Sequence, residues 1–161
     1  MTLSSNTMSH VLSGQMQVGA NGQVLTALLG SCVGIGMIWR DQGRCGLAHC
    51  FLPEGVEAGE ASARYVSAAV PRLLALMGVR RDQYAEVDVV IAGGARMLNL
   101  RAGDGAVGTR NIEAARSQLS QRGLQVSFQD VGGSQGRRLS IDCDRQTYSV
   151  VRIQREAAVL Q

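Results

Sequence analysis

Val33-Gly34-Ile35-Gly36-Met37-Ile38-Trp39, then Arg40-Asp41-Gln42-Gly43, then Arg44-Cys45-Gly46-Leu47-Ala48-His49-Cys50-Phe51-Leu52 is the stretch that decides how this chain folds. Two largely apolar runs flank a short polar segment ending in glycine, which predicts two strands joined by a tight turn. Pro53 closes the second strand. Reversal around positions 40 to 43 brings residues near 32 opposite residues near 49, within about one to three positions of register. At about 3.3 Å of rise per residue and just under about 5 Å between strands, Cys32 and His49 can meet.

Upstream, Gln15 to Val18 and Val24 to Leu28 read as strands around Ala20-Asn21-Gly22, and Asn-Gly between apolar segments predicts a second hairpin. The polar start places a flexible lead over residues 1–13 and one domain over 14–161. Downstream, Val66, Ala69, Val70, Leu73, Leu74 and Met77 repeat at helical spacing, predicting a helix over 61–77 that Pro71 kinks or restarts and Gly78 ends. Glu86 to Ala92 reads as a strand, followed by Gly93-Gly94 and an irregular stretch to Gly108. A second helix is expected over 111–122, with Ile112, Ala115 and Leu119 on its apolar face. Leu124 to Val131, Arg138 to Asp142 and Thr147 to Ile153 complete the strands.

Hydrophobic residues make up 45% of the 161 and charged ones 18%, the composition of one globular domain rather than a disordered chain. No apolar run approaches the roughly 20 residues of a membrane helix. The first ten residues lack a basic, then apolar, secretory pattern, so a cytoplasmic location is expected. Four cysteines in such a chain are expected as free thiols. All sixteen basic residues are arginine, which excludes lysine Schiff bases and the P-loop lysine. Arg80-Arg81 and Arg137-Arg138 read as solvated surface, not a nucleic-acid footprint.

The thiolate is the reactive form of cysteine, and a neighbouring imidazole is the usual means of making it at neutral pH. With His10 in the N-terminal stretch, His49 is the imidazole available to Cys32. Gly30-Ser31 breaks the strand just before Cys32, so the thiol would lie at a bend where backbone N–H groups can hold an oxyanion. Thr26, six residues before Cys32, has the same side-chain parity and can accept a hydrogen bond from the ring. The same residues also fit an inert core thiol, a half-buried histidine and an ordinary strand threonine. A zinc site built from Cys32, Cys45, His49 and Cys50 lacks the usual Cys spacing, and adjacent His49 and Cys50 would face opposite ways. The pairs Gly93-Gly94 and Gly132-Gly133 fit turns better than a nucleotide fingerprint.

Five separated blocks resemble the chemoreceptor glutamine deamidases of the CheD family. They are Leu29-Gly30-Ser31-Cys32-Val33; Gly46-Leu47-Ala48-His49 with Leu52-Pro53; Ile91-Ala92-Gly93-Gly94-Ala95 with Met97; Gly108-Thr109-Arg110-Asn111; and Asp130-Val131-Gly132-Gly133 with Gly136-Arg137. The resemblance implies an α/β fold, a layered α/β sandwich of strand-rich mixed sheets with two main helices packed on them. It implies Cys32 as nucleophile, His49 as base and Thr26 as third member, with no cofactor and no metal. The implied reaction is hydrolysis of specific glutamine side chains to glutamate in the cytoplasmic region of methyl-accepting chemotaxis receptors, with some methylesterase activity by the same acyl chemistry. A phosphatase of the CheC type is a further partner in that family; nucleic acid and membrane insertion are not implied. A non-catalytic adaptor binding receptor or CheC is the alternative from a different class. Arg110 and Asn111 receive no catalytic role, and the polar segment Leu98 to Gly105, outside the matched blocks, is a place for receptor recognition.

Overall fold

In a computed structural model of the chain, residues 7–55, 62–96 and 106–154 are described. Met97 and the segment Leu98–Gly105 lie outside them. The elements run β1 (Thr7–His10), β2 (Met16–Gly19), β3 (Gln23–Leu29), β4 (Val33–Trp39), β5 (Arg44–Cys50), α1 (Val66–Met77), β6 (Val87–Gly93), α2 (Ala106–Gln121), β7 (Gln125–Val131), β8 (Arg137–Asp142) and β9 (Thr147–Arg152). Short 3-10 turns occupy Arg40–Gln42 and Arg81–Glu86.

Two mixed sheets and two helices make three layers, the expected α/β sandwich. One sheet has the order β1-β3-β8-β9 and the other β2-β5-β4-β6-β7. β1 with β3 and β6 with β7 are parallel; the remaining pairs are antiparallel. β4 explains the stacking. Its odd positions, Val33, Ile35, Met37 and Trp39, pack in the core shared with α1 and α2. Its even positions face the four-stranded sheet, where Leu25, Ala27, Leu29, Leu139 and Ile141 meet Ile38, Leu47, Val90 and Ala92. A strand covered on both faces needs apolar residues at every position, which is why Val33–Trp39 reads as one continuous run.

The expected β4–β5 hairpin forms, with Gly34 opposite His49 and Val33 opposite Cys50. The upstream hairpin does not. β2 pairs with β5 in one sheet, while β3 pairs with β1 and β8 in the other. The turn around Asn21-Gly22 therefore carries the chain from sheet to sheet, because the apolar faces of β2 and β3 belong to different cores. Residues 7–10, inside the segment read as a flexible lead, form β1 against β3.

α1 begins at Val66, later than position 61, because Leu52 and Pro53 carbonyls take the N–H groups of Val66 and Ser67. These bonds satisfy first-turn donors that a helix leaves open, and they tie α1 to the chain leaving β5. The helix runs through Pro71 with Val66, Ala69, Val70, Leu73, Leu74 and Met77 all buried, so burial of this face outweighs the bond that proline cannot donate. α2 starts five residues earlier than expected, at Ala106, and includes Gly108. There glycine serves close approach rather than termination: a Cβ on Gly108 would stand 2.6 Å from the Gly94 carbonyl oxygen and 2.7 Å from that of Ala95.

Candidate active site

Gly30, Ser31 and Cys32 cross from β3 in one sheet to β4 in the other, and all three carbonyls are anchored. Ala95 N–H donates to the Gly30 oxygen at 2.9 Å, Asn111 Nδ2 to that of Ser31 at 3.1 Å, and Gly94 N–H to that of Cys32 at 2.8 Å. Gly93 permits this approach, since any Cβ there would collide with the Cys32 carbonyl, and its φ of +102° suits glycine. The crossing leaves Cys32 half-buried as a free thiol.

His49 opposes Gly34, and a Cβ on Gly34 would face Leu29 and Leu139 of the other sheet. Paired residues share a face, so the imidazole projects into the same gap between the sheets, two positions from Cys32. The ring is 5% exposed, and its Nδ1 lies 2.8 Å from the Val11 carbonyl oxygen. A carbonyl only accepts, so Nδ1 carries the hydrogen and Nε2 keeps its lone pair. Two residues on, the Ser13 hydroxyl lies 3.8 Å from Cys32 Sγ. One three-residue segment, Val11 to Ser13, thus touches both the imidazole and the thiol.

Thr26 stands elsewhere than its parity suggested. Its Oγ1 lies 3.0 Å from Ser140 Oγ, on the face of the four-stranded sheet opposite to Leu25, Ala27 and Leu29. The bend at Gly30-Ser31 breaks the two-residue period, so counting from 26 to 32 does not keep the two side chains together. Thr26 reaches the histidine through the backbone: its carbonyl accepts the Val11 N–H at 2.8 Å, and the Val11 carbonyl accepts from His49.

Burial pushes the Cys32 thiol above its ordinary value, with Ser13 and the Cys32 backbone pulling the other way. Burial likewise holds the His49 imidazole below its ordinary value, offset in part by the Val11 carbonyl. Burial thus works against the charged form of each group, the thiolate at Cys32 and the imidazolium at His49. Cys50, fully buried on the helix side, has its thiol driven far up by desolvation and is inert packing. Cys45 and Cys143, expected as free thiols, form a disulfide with Cα atoms 5.8 Å apart. The sheets stack β5 against the end of β8, a proximity that sequence spacing does not show. The candidate zinc set is accordingly not assembled, and no metal-ligating cluster occurs among the described residues.

Four contributors were not singled out from sequence as parts of a site. Val11 acts through its carbonyl and Ser13 is one serine among several, so neither carries a residue-type signal. Asn111 lies in a matched block, is fully buried, and donates from Nδ2 to Phe51 O at 3.3 Å as well as to Ser31 O. Arg137 was read as surface but is 1% exposed. It donates to the Gly132 and Gln135 carbonyls and pairs with Asp130, whose carboxyl is held below its usual range, chiefly by Arg152. Gly132 N–H in turn donates to the Gly93 carbonyl, so the buried arginine braces the loop beside the crossing.

Among the described residues no helix is long and apolar enough to cross a membrane. The family model described as CheD chemotactic sensory transduction matches residues 51–152. A protein of Bdellovibrio bacteriovorus named "Probable chemoreceptor glutamine deamidase CheD" is 38% identical, over 92% of this chain and 96% of its own. A protein of Ruegeria sp. (strain TM1040) named "Probable chemoreceptor glutamine deamidase CheD 2" is 36% identical, over 91% of this chain and 92% of its own. A solved Neisseria meningitidis structure of the DUF152 family superposes with a TM-score of 0.46 at 12% identity, over 80% of this chain and 63% of that one. On a family match spanning well over half of its length and on relatives aligned nearly end to end, the chain belongs to the CheD family.

Proposed function

We propose that this protein hydrolyses specific glutamine side chains to glutamate in the cytoplasmic region of methyl-accepting chemotaxis receptors, with Cys32 as nucleophile and His49 as base. The names carried by its relatives support the substrate class. The observation that carries the chemistry is the Val11–Ser13 segment, which fixes the His49 tautomer at one end and touches Cys32 Sγ at the other.

In the first half-reaction, His49 Nε2 takes the Cys32 proton as Sγ bonds to the glutamine δ-carbon, and the carbonyl π electrons move onto oxygen. Backbone N–H groups at Ser31 and Cys32 hold that oxyanion. As it collapses, the imidazolium returns the proton to the amide nitrogen, the C–N bond breaks and ammonia leaves a thioester. In the second, water attacks the thioester carbon while His49 takes its proton. The C–S bond then breaks, and the thiolate is reprotonated. The sum is glutamine plus water giving glutamate plus ammonium, with no redox step. Thr26 completes the constellation as a positioning residue, through its main-chain carbonyl on Val11.

The test is ammonia release from a receptor cytoplasmic fragment, with the mass change of about +1 Da located at individual glutamines. Conversion in the wild type, abolished in Cys32→Ala and reduced by about 10²–10⁴-fold in His49→Ala, is the expected result. Receptor binding without conversion in the wild type would reject the catalytic assignment for that substrate and leave an adaptor.

A further inference from the structure

A trans peptide unit holds its C=O and the next N–H antiparallel, so fixing the carbonyl fixes the direction of the amide hydrogen. The Ser31 carbonyl belongs to the same unit as the Cys32 N–H. Of the three anchors on the crossing, those on Gly30 and Cys32 are main-chain N–H groups; the one on Ser31 is a side chain, Asn111. Its amide has two hydrogens. Both are used, one on Ser31 O and one on Phe51 O, across chain separations of 80 and 60 residues. A single planar group thereby joins the peptide before the thiol to the chain just past His49. The Asn111 side chain itself is wholly buried, so its place is fixed by the surrounding packing. On the other side of the unit, the Cys32 N–H meets no backbone carbonyl among the described residues.

We propose that Asn111 is the positioning residue of the oxyanion site: by holding the Ser31 carbonyl away from the thiol, it aims the Cys32 N–H at the place where negative charge develops on the substrate oxygen. This rests on the reading of Cys32 as the nucleophile of an acyl-transfer reaction. It assigns Asn111 to transition-state stabilisation and not to thiol activation, which His49 provides. The two roles separate experimentally. Alkylation by iodoacetamide is displacement at a saturated carbon and develops no oxyanion, so it reports the thiol and His49 alone. Deamidation and binding of a glutamine-derived aldehyde, which adds Cys32 to form a tetrahedral hemithioacetal, both require the donor.

The test compares the wild type, Asn111→Leu and Asn111→Ser on a glutamine-containing receptor fragment, with folding checked by circular dichroism. Asn111→Leu is expected to lower kcat by about 10²-fold with KM within about twofold. Aldehyde affinity should fall in parallel, while the rate and pH dependence of Cys32 alkylation stay at the wild-type level. Asn111→Ser, smaller and retaining one donor, keeps the comparison available where leucine does not fold, and is expected to fall between. Turnover within about threefold of the wild type in a folded variant would overturn the assignment, as would alkylation falling by the same factor as deamidation. A wild type that alkylates at Cys32 but shows no deamidation would instead reject the underlying catalytic reading.

Discussion

The proposed base, His49, keeps its Nε2 lone pair because Val11 offers the ring only an acceptor, and the two burial effects at the site have opposite signs that would widen the working range. The proposed mechanism requires neutral His49 to accept the Cys32 proton and requires that same proton to be passed on to the departing amide nitrogen. As pH falls, His49 protonates and kcat/KM is lost; burial lowers that pKa, so the acid midpoint is expected below the ordinary 6.5. As pH rises, Cys32 loses its proton; burial raises that pKa, so the alkaline midpoint is expected above the ordinary 9.0. A kcat/KM profile from about pH 5 to 10 should therefore show a plateau wider than an unperturbed pair would give. An acid midpoint above the ordinary histidine value would contradict the buried, Val11-bound imidazole. Thr26 supplies a second prediction. Its hydroxyl bonds to Ser140 and its carbonyl serves the histidine, so Thr26→Val should cost about 1 kcal/mol of stability while leaving kcat within about threefold. A loss as large as that of His49→Ala would place the hydroxyl in the reaction after all.

Elements position these residues through close backbone contacts, and α2 shows how a local rule can be reversed by its surroundings. Replacing a helix glycine by alanine ordinarily stabilises by up to about 1 kcal/mol. At Gly108 the added methyl would press on the carbonyls of Gly94 and Ala95, whose N–H groups hold the Cys32 and Gly30 carbonyls. Gly108→Ala is therefore expected to destabilise by about 1–3 kcal/mol, read by denaturant titration, and to lower turnover as well. A more stable variant would show that α2 does not pack as described. The same contact explains why the start of α2 was misplaced from sequence, since glycine beside Thr109 reads as a helix boundary when its neighbour across space is unseen. The β4–β5 hairpin and the buried face of α1 were legible because each is encoded within one segment, the hairpin by two apolar runs around a polar turn and the helix by its period. Which sheet receives β2 and β3 was not, because Asn21-Gly22 specifies a reversal and says nothing of the partner. At the site, cysteine and histidine announce their chemistry by residue type, whereas Val11 contributes a carbonyl that every residue possesses.

Across the whole molecule the two sheets are joined covalently as well as by packing. Cys45 is the second residue of β5 in the five-stranded sheet, Cys143 follows β8 in the four-stranded one, and the bond closes a separation of 98 residues. Composition suggested free thiols, and spacing could not correct this, because the partners become neighbours only once the sheets stack. In denaturant, titration with a thiol reagent should find two reactive groups, Cys32 and Cys50, and four after reduction. Closing so long a loop restricts the unfolded chain, so reduction should lower unfolding stability by up to about 4 kcal/mol. Function should respond differently. Cys45 and His49 lie at opposite ends of β5, about 13 Å apart at strand spacing, and the site is held instead by Val11, Gly94, Ala95 and Asn111. Below the lowered unfolding midpoint, the reduced protein should therefore retain the wild-type rate of Cys32 alkylation. Four titratable thiols before reduction would remove the cross-link from the account. Two thiols, with alkylation collapsing on reduction while the fold persists, would mean that the spacing between the sheets, and not the backbone anchors around Gly30 to Cys32, sets the geometry of the site.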